Sequence, residues 1–156
     1  MRYMEGEFII NGKRKVIQFE NDDLLLDVLR NNGYKEVKCG CREGTCGSCV
    51  VILDEKLVNS CQVFAATATG KKIITSKGLG DIKNPHKIHK ALVDAGAVQC
   101  GFCTPGMVLA IYYLLKEEKN PDEEKIKEYL DGNLCRCTGY EKIIEAVKSI
   151  IEGKYG

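Results

Sequence analysis

Cys41-Arg42-Glu43-Gly44-Thr45-Cys46-Gly47-Ser48-Cys49 decides how this chain is read. Three thiols share one glycine-bearing loop, and a fourth, Cys61, follows to complete the spacing C-x4-C-x2-C-x11-C. At that spacing four thiolates hold a [2Fe–2S] cluster, three from one loop and the last from farther on. An oxidised four-thiolate centre carries a formal charge of about −2, so the protein has to supply partial positive charge around it. Gly44 and Gly47 let the backbone fold tightly and aim peptide N–H groups at the sulfurs. Arg42 brings a full charge to the same loop, although a solvated arginine is its simpler reading.

Around this loop the pattern is β-rich as far as about residue 76. Asn11-Gly12 lies between apolar segments within Glu7 to Phe19, the strongest short hairpin signal because both residues tolerate positive φ. Leu24, Leu25, Val28 and Leu29 follow at helical spacing, with Asp22 or Asp23 as N-cap and Gly33 as the stop. Cys49 to Leu53 and Lys56 to Cys61 form a second strand pair turning at Asp54-Glu55, and Lys72 to Ser76 a last strand. Hairpin, helix, cysteine loop and further strands together predict a β-grasp domain of the plant-type ferredoxin kind over residues 1–77. The tract Lys77-Gly78-Leu79-Gly80-Asp81 reads as a linker.

The second half, residues 78–156, reads as all-α, so the fold class is α+β. Helices are predicted over about 85–96, 105–118, 121–131 and 139–152, short and closely linked, as in a four-helix bundle. Thr104-Pro105 offers an N-cap and a proline at the first helical position. Asn120-Pro121-Asp122-Glu123 repeats that device, and Thr138-Gly139-Tyr140-Glu141 reads as a capping box. The remaining paired thiols are Cys100 and Cys103, then Cys135 and Cys137. Each pair precedes a helix, where the dipole and free N–H groups favour thiolate charge and lower thiol pKa. These four are expected to hold a second [2Fe–2S] cluster. Structural zinc is the alternative there, since C-x2-C pairs are common zinc ligands, although Cys135-x-Cys137 is tighter than the usual zinc pair.

Nine cysteines are present in 156 residues. The odd one is Cys39, which would need a six-residue gap to Cys46 and is expected not to be a ligand. No apolar leader opens the chain, and the run Met107 to Leu115 is too short to span a bilayer. The thiols are therefore expected in a reducing cytoplasm, where such patterns hold metal rather than disulfides. A net charge of +1 gives no electrostatic case for nucleic acid or an anionic membrane. His86 and His89 are read as surface histidines, and Tyr112 to Leu115 as core or subunit contact. No nucleophile with a matching base and no phosphate loop is present, so no catalytic residue is assigned.

The loop from Cys41 to Cys49 resembles the first cluster loop of the molybdenum hydroxylase (xanthine dehydrogenase) family. Gln99-Cys100-Gly101-Phe102-Cys103-Thr104-Pro105-Gly106-Met107 resembles the second-cluster motif of that family, and Asn133-Leu134-Cys135-Arg136-Cys137-Thr138-Gly139-Tyr140 its closing motif. The three stand in the family's order and together span nearly the whole chain. Ser48 stands where a small alanine is frequent, and Cys39 is an extra thiol.

The resemblance implies the small iron–sulfur subunit of a larger oxidoreductase, not catalytic by itself. It implies a large partner subunit with a molybdenum–pterin cofactor and, in many relatives, a medium subunit with FAD. The Cys100/Cys103/Cys135/Cys137 cluster would lie nearer molybdenum and the Cys41/Cys46/Cys49/Cys61 cluster nearer flavin or an external acceptor. Gln99 matches the glutamine that hydrogen-bonds the pterin. The substrate expected from family abundance is a purine, another N-heterocycle or an aldehyde. Carbon monoxide dehydrogenase and 4-hydroxybenzoyl-CoA reductase types of small subunit, a stand-alone two-cluster ferredoxin-like carrier and a zinc-binding interaction module are the alternatives.

Overall fold

The computed structural model describes residues 2–156; Met1, part of the expected first domain, lies outside the described residues. Asn11 and Gly12 turn the chain with φ of 52° and 80°, the left-handed pair of a type I′ hairpin. β1 (Tyr3–Ile10) and β2 (Lys13–Glu20) pair antiparallel from Tyr3 opposite Glu20 to Ile10 opposite Lys13. A second hairpin, β3 (Val50–Leu53) and β4 (Lys56–Asn59), turns at Asp54 and Glu55, both with positive φ. β5 (Lys72–Ile74) lies between the hairpins, parallel to β1 and antiparallel to β3, giving the order β2-β1-β5-β3-β4. Helix α1 (Leu25–Asn31) lays Leu25, Leu26, Val28 and Leu29 into one core with Phe8, Ile10, Ile17 and Phe19. Full burial of such a side chain stabilises by about 1.5–3 kcal/mol.

Several expectations are corrected here. β1 begins four residues before Glu7, and β5 ends at Ile74 rather than Ser76. Leu24, not an aspartate, stands at the N-cap of α1, and its side chain makes no capping bond. Asp23 instead turns back to accept from the Glu20 N–H, closing the turn out of β2. The tract from 77 to 81, read as a linker, is an ordered connection. Ser76–Leu79 forms a helical turn, α2, after a fully buried Thr75. Thr75 donates to Glu36 at 2.6 Å and exchanges two bonds with the Asn11 side chain. A Cβ on Gly78 would collide with that same Asn11 side chain. The connection is therefore held by packing and polar contacts.

The helical half contains α3 (Lys87–Asp94), α4 (Thr104–Glu117), α5 (Glu123–Leu130) and α6 (Glu141–Ile151), each within two residues of its predicted bounds. α3 and α5 each touch both α4 and α6, around a core that includes Ile88, Met107, Ile111, Leu114, Ile126 and Val147. Leu109 of α4 packs on Val50 and Ile52 of β3, joining the helices to the sheet. Among the described residues no helix is long and apolar enough to cross a membrane.

The helix starts differ in chemistry from those predicted. Cys103 is the N-cap of α4, with Thr104 already helical and Pro105 in the first turn. Asp122, not Asn120, caps α5 by accepting from the Lys125 N–H. Tyr140, with φ of 70°, stands before α6, and Thr138 makes no capping box. The histidines are not simple surface residues. His86 Nδ1 accepts from the Ile88 N–H and His89 Nδ1 from the His86 N–H, a reciprocal cap on α3.

Candidate iron–sulfur centres

The first cysteine loop owes its path to left-handed residues at Arg42, Gly44 and Gly47, with φ of 64°, 78° and 70°. Glycine is needed at Gly47 for a second reason, because a Cβ there would collide with the Gly132 carbonyl. The turn points three N–H groups, those of Glu43, Thr45 and Cys46, at Cys41 Sγ, each at 3.4 Å. The Ser48 N–H reaches Cys46 Sγ and the Cys61 N–H reaches Cys49 Sγ, both at 3.5 Å. The Gln62 carboxamide donates to Cys61 Sγ at 3.4 Å and to the Arg42 carbonyl at 3.2 Å, joining the distant ligand to the loop.

These donors suit four thiolates. The Thr45 side chain and the N–H groups of Glu43, Cys46 and Thr45 pull the Cys41 thiol down to about 6. Burial pushes Cys49 up to about 11, so the inner sulfur needs a metal to displace its proton. Arg42 is not a free loop arginine: its guanidinium binds both carboxylate oxygens of Asp27 on α1, at 2.9 and 2.7 Å. That pair holds the Asp27 carboxyl below its usual range and anchors the turn next to Cys41. Cys39 is half-buried against the first core.

The second set is assembled from two distant segments. Cys100, Cys103, Cys135 and Cys137 line one cavity of about 380 Å³. The Cys103 thiol lies beside Cys135 and the Cys100 thiol beside Cys137. Burial, with the neighbouring thiols, pushes Cys103 up to about 12. Against the upward push of burial, the Thr138 hydroxyl and N–H hold the Cys135 thiol low, at 3.1 and 3.4 Å from its sulfur. Thr138 therefore gives its hydroxyl proton to a sulfur while its oxygen accepts from the Tyr140 N–H, just before α6, at 3.2 Å. Tyr140 braces the same segment, its OH accepting from the Cys135 N–H at 2.8 Å and donating to the Asn133 carbonyl at 2.9 Å. Gln99 is exposed immediately before Cys100.

The two loops meet. The Leu134 N–H donates to the Cys46 carbonyl at 2.9 Å, and the buried Asn133 side chain donates to the Gly47 carbonyl at 3.0 Å. Cys46 and Ser48 also line the cavity of the second set, together with Gly40. Sequence reasoning missed Asp27, Gly40, Gln62, Asn133 and Tyr140 as parts of the site. Only Asn133 and Tyr140 carried a signal, at the two ends of the closing motif.

The thiol-only donor sets, the N–H groups turned on their sulfurs and the space at the second set fit [2Fe–2S] clusters. A tetrahedral zinc site gathers its sulfurs about 2.3 Å from one ion. A two-iron core bridged by sulfides is a larger object and needs its thiols farther apart.

Comparison with known proteins gives the same picture. Residues 8–75 match the family described as a 2Fe-2S iron-sulfur cluster binding domain, and residues 75–148 the family described as a [2Fe-2S] binding domain. The nicotinate dehydrogenase small FeS subunit of Eubacterium barkeri is 43% identical over 144 residues, covering 92% of each chain. Xanthine dehydrogenase of Emericella nidulans is 40% identical over 153 residues, which are 91% of this chain but only 11% of that longer protein. Among solved structures, quinoline 2-oxidoreductase from Pseudomonas putida 86 superposes with a TM-score of 0.93 at 36% identity, covering 99% of this chain and 96% of that one.

Proposed function

The chain belongs to the small [2Fe–2S] iron–sulfur subunits and domains of the molybdenum hydroxylase (xanthine dehydrogenase) family, electron-transfer components of oxidoreductases, and on that premise we propose that it links a molybdenum–pterin site on a large partner to FAD on a medium partner or to an external acceptor. Cys100, Cys103, Cys135 and Cys137 hold the cluster nearer the molybdenum partner. Cys41, Cys46, Cys49 and Cys61 hold the cluster nearer the acceptor. Each bound [2Fe–2S] cluster supplies one-electron storage at its end of the chain. The exposed Gln99, in this reading, meets the pterin beside Cys100. In this reading residues 1–77 are a β-grasp ferredoxin-type domain, residues 78–156 a four-helix bundle, and the complex works in the cytoplasm. The likeness to the nicotinate dehydrogenase small FeS subunit and to a chain of quinoline 2-oxidoreductase supports an N-heterocyclic substrate.

One observation carries the proposal: the Cys46 carbonyl accepts from the N–H of Leu134, the residue before Cys135. A ligand of one set is thereby joined to a ligand of the other by a short covalent path and one hydrogen bond. Asn133 and Tyr140 keep that bridge in place, and neither moves a proton or breaks a bond. The chain holds and spaces the redox groups, while bond-breaking chemistry belongs to the partner's cofactor.

The test uses the assembled enzyme with Cys103→Ser. The expected result is loss of half the iron, with the remaining cluster still reduced by dithionite but no longer by substrate. Reduction of that cluster by substrate at the wild-type rate would contradict the proposed order.

A further inference from the structure

Ser48 is a buried residue whose hydroxyl has two acceptors in reach among the described residues. The residue is 6% exposed, and Oγ lies 3.1 Å from Cys46 Sγ and 3.5 Å from the Lys38 carbonyl. A cluster-ligating cysteine is a thiolate with no proton to give, so the serine must be the donor. The shorter of the two contacts is the one to sulfur, and hydrogen bonds to ionised acceptors are the stronger kind.

Two features keep the contact open. A Cβ on Gly40 would stand 2.7 Å from Cys46 Sγ and 2.9 Å from Ser48 Oγ, so any larger residue at Gly40 would crowd the pair apart. The Ser48 N–H also points at Cys46 Sγ, so one residue presents two donors to one sulfur. Ser48 and Cys46 line the cavity of the second cysteine set, so the hydroxyl sits on the side of the first centre that faces the second.

We propose that Ser48 is a tuning residue: its hydroxyl donates to the Cys46 sulfur and raises the reduction potential of the first cluster. A donor on a ligand sulfur stabilises the more negative, reduced cluster, and the low-dielectric setting strengthens the effect. Between two centres joined through Cys46 and Leu134, a higher potential at the first draws the electron from the second toward the acceptor end. The inference rests on the two-cluster assignment proposed above.

The test is Ser48→Ala in the assembled enzyme, a substitution that removes one oxygen and leaves the fold's volume almost unchanged. Iron and labile sulfide are counted, and both clusters are titrated potentiometrically with detection by EPR. The expected result is full iron, a shift of one couple to more negative potential and an unmoved second couple. At a fixed intermediate potential the reduced fraction of the first cluster falls relative to that of the second. Two clusters in both proteins with identical potentials would overturn this inference alone. A wild-type protein without two [2Fe–2S] signals would overturn the assignment on which it rests, and the inference with it.

Discussion

The two cysteine sets reach comparable ends by different physical routes. The first is local: Cys41, Cys46 and Cys49 lie within nine residues, and left-handed turns bring backbone N–H groups to their sulfurs. The second is tertiary: Cys103 stands at the N-cap position of α4 while Cys135 precedes α6, and side chains of Thr138 and Tyr140 supply the support. A site written into one loop depends on turn chemistry. A site assembled from two helices depends on the core that positions those helices.

That contrast predicts separable failures. Ile111 is fully buried among the four helices, and truncation to alanine is expected to cost about 2–5 kcal/mol. On heating, the Ile111→Ala protein should lose the EPR signal of the second cluster well before that of the first. Simultaneous loss would mean that the two sites do not stand on separate supports.

Gly47→Ala attacks the junction instead. Overpacking against the Gly132 carbonyl is expected to cost about 1–3 kcal/mol, with about 1–2 kcal/mol more for a left-handed non-glycine residue. Both clusters should remain, with weaker magnetic coupling between them in the doubly reduced protein.

Tyr140→Phe removes the two bonds on the closing segment, with an expected loss of about 0.5–1.5 kcal/mol for each. Faster amide exchange confined to residues 133–137 is the readout that would sharpen the assignment of this support to the second site.

The smallest effect expected is on pH dependence. Burial holds the His86 and His89 imidazoles below 6.5, with the charge of neighbouring His89 adding to the effect at His86. Both accept through Nδ1, so each works as a cap only while neutral. The unfolded chain binds these protons more readily than the folded one, so the contribution is complete above about pH 6.5 and lost as pH falls below it. The melting temperature should therefore fall between pH 7.5 and 5.5, and fall less in a His89→Gln protein.

The elements with a strong local signal were legible in the sequence. Asn11-Gly12 and Asp54-Glu55 both turn hairpins, and the four apolar helical patterns all form helices. The cysteine spacings pointed to the cavity that gathers Cys100, Cys103, Cys135 and Cys137. Caps were the main misreading, for one physical reason. A side chain placed as a cap from sequence goes to whichever partners the folded backbone brings nearest, and several went elsewhere. Thr138 donates to Cys135 and accepts from the Tyr140 N–H, Asp23 accepts at the turn from Glu20, and two histidines take the capping role that α3 had left open. Within the linker tract, the sequence did not show that Gly78 is there for close approach to Asn11. Asp27, Gln62 and Gly40 were illegible because each acts through a contact that only folding creates: Asp27 with the Arg42 guanidinium, Gln62 with the Arg42 carbonyl and Gly40 against Cys46.

The central claim is two [2Fe–2S] centres joined through Cys46 and Leu134. It is tested most directly by iron and acid-labile sulfide per chain on anaerobically purified protein, with EPR after full reduction. The account predicts about four irons, two distinct reduced signals and a splitting from the interaction between them. Zinc in place of iron, or a single signal at full iron occupancy, would contradict it.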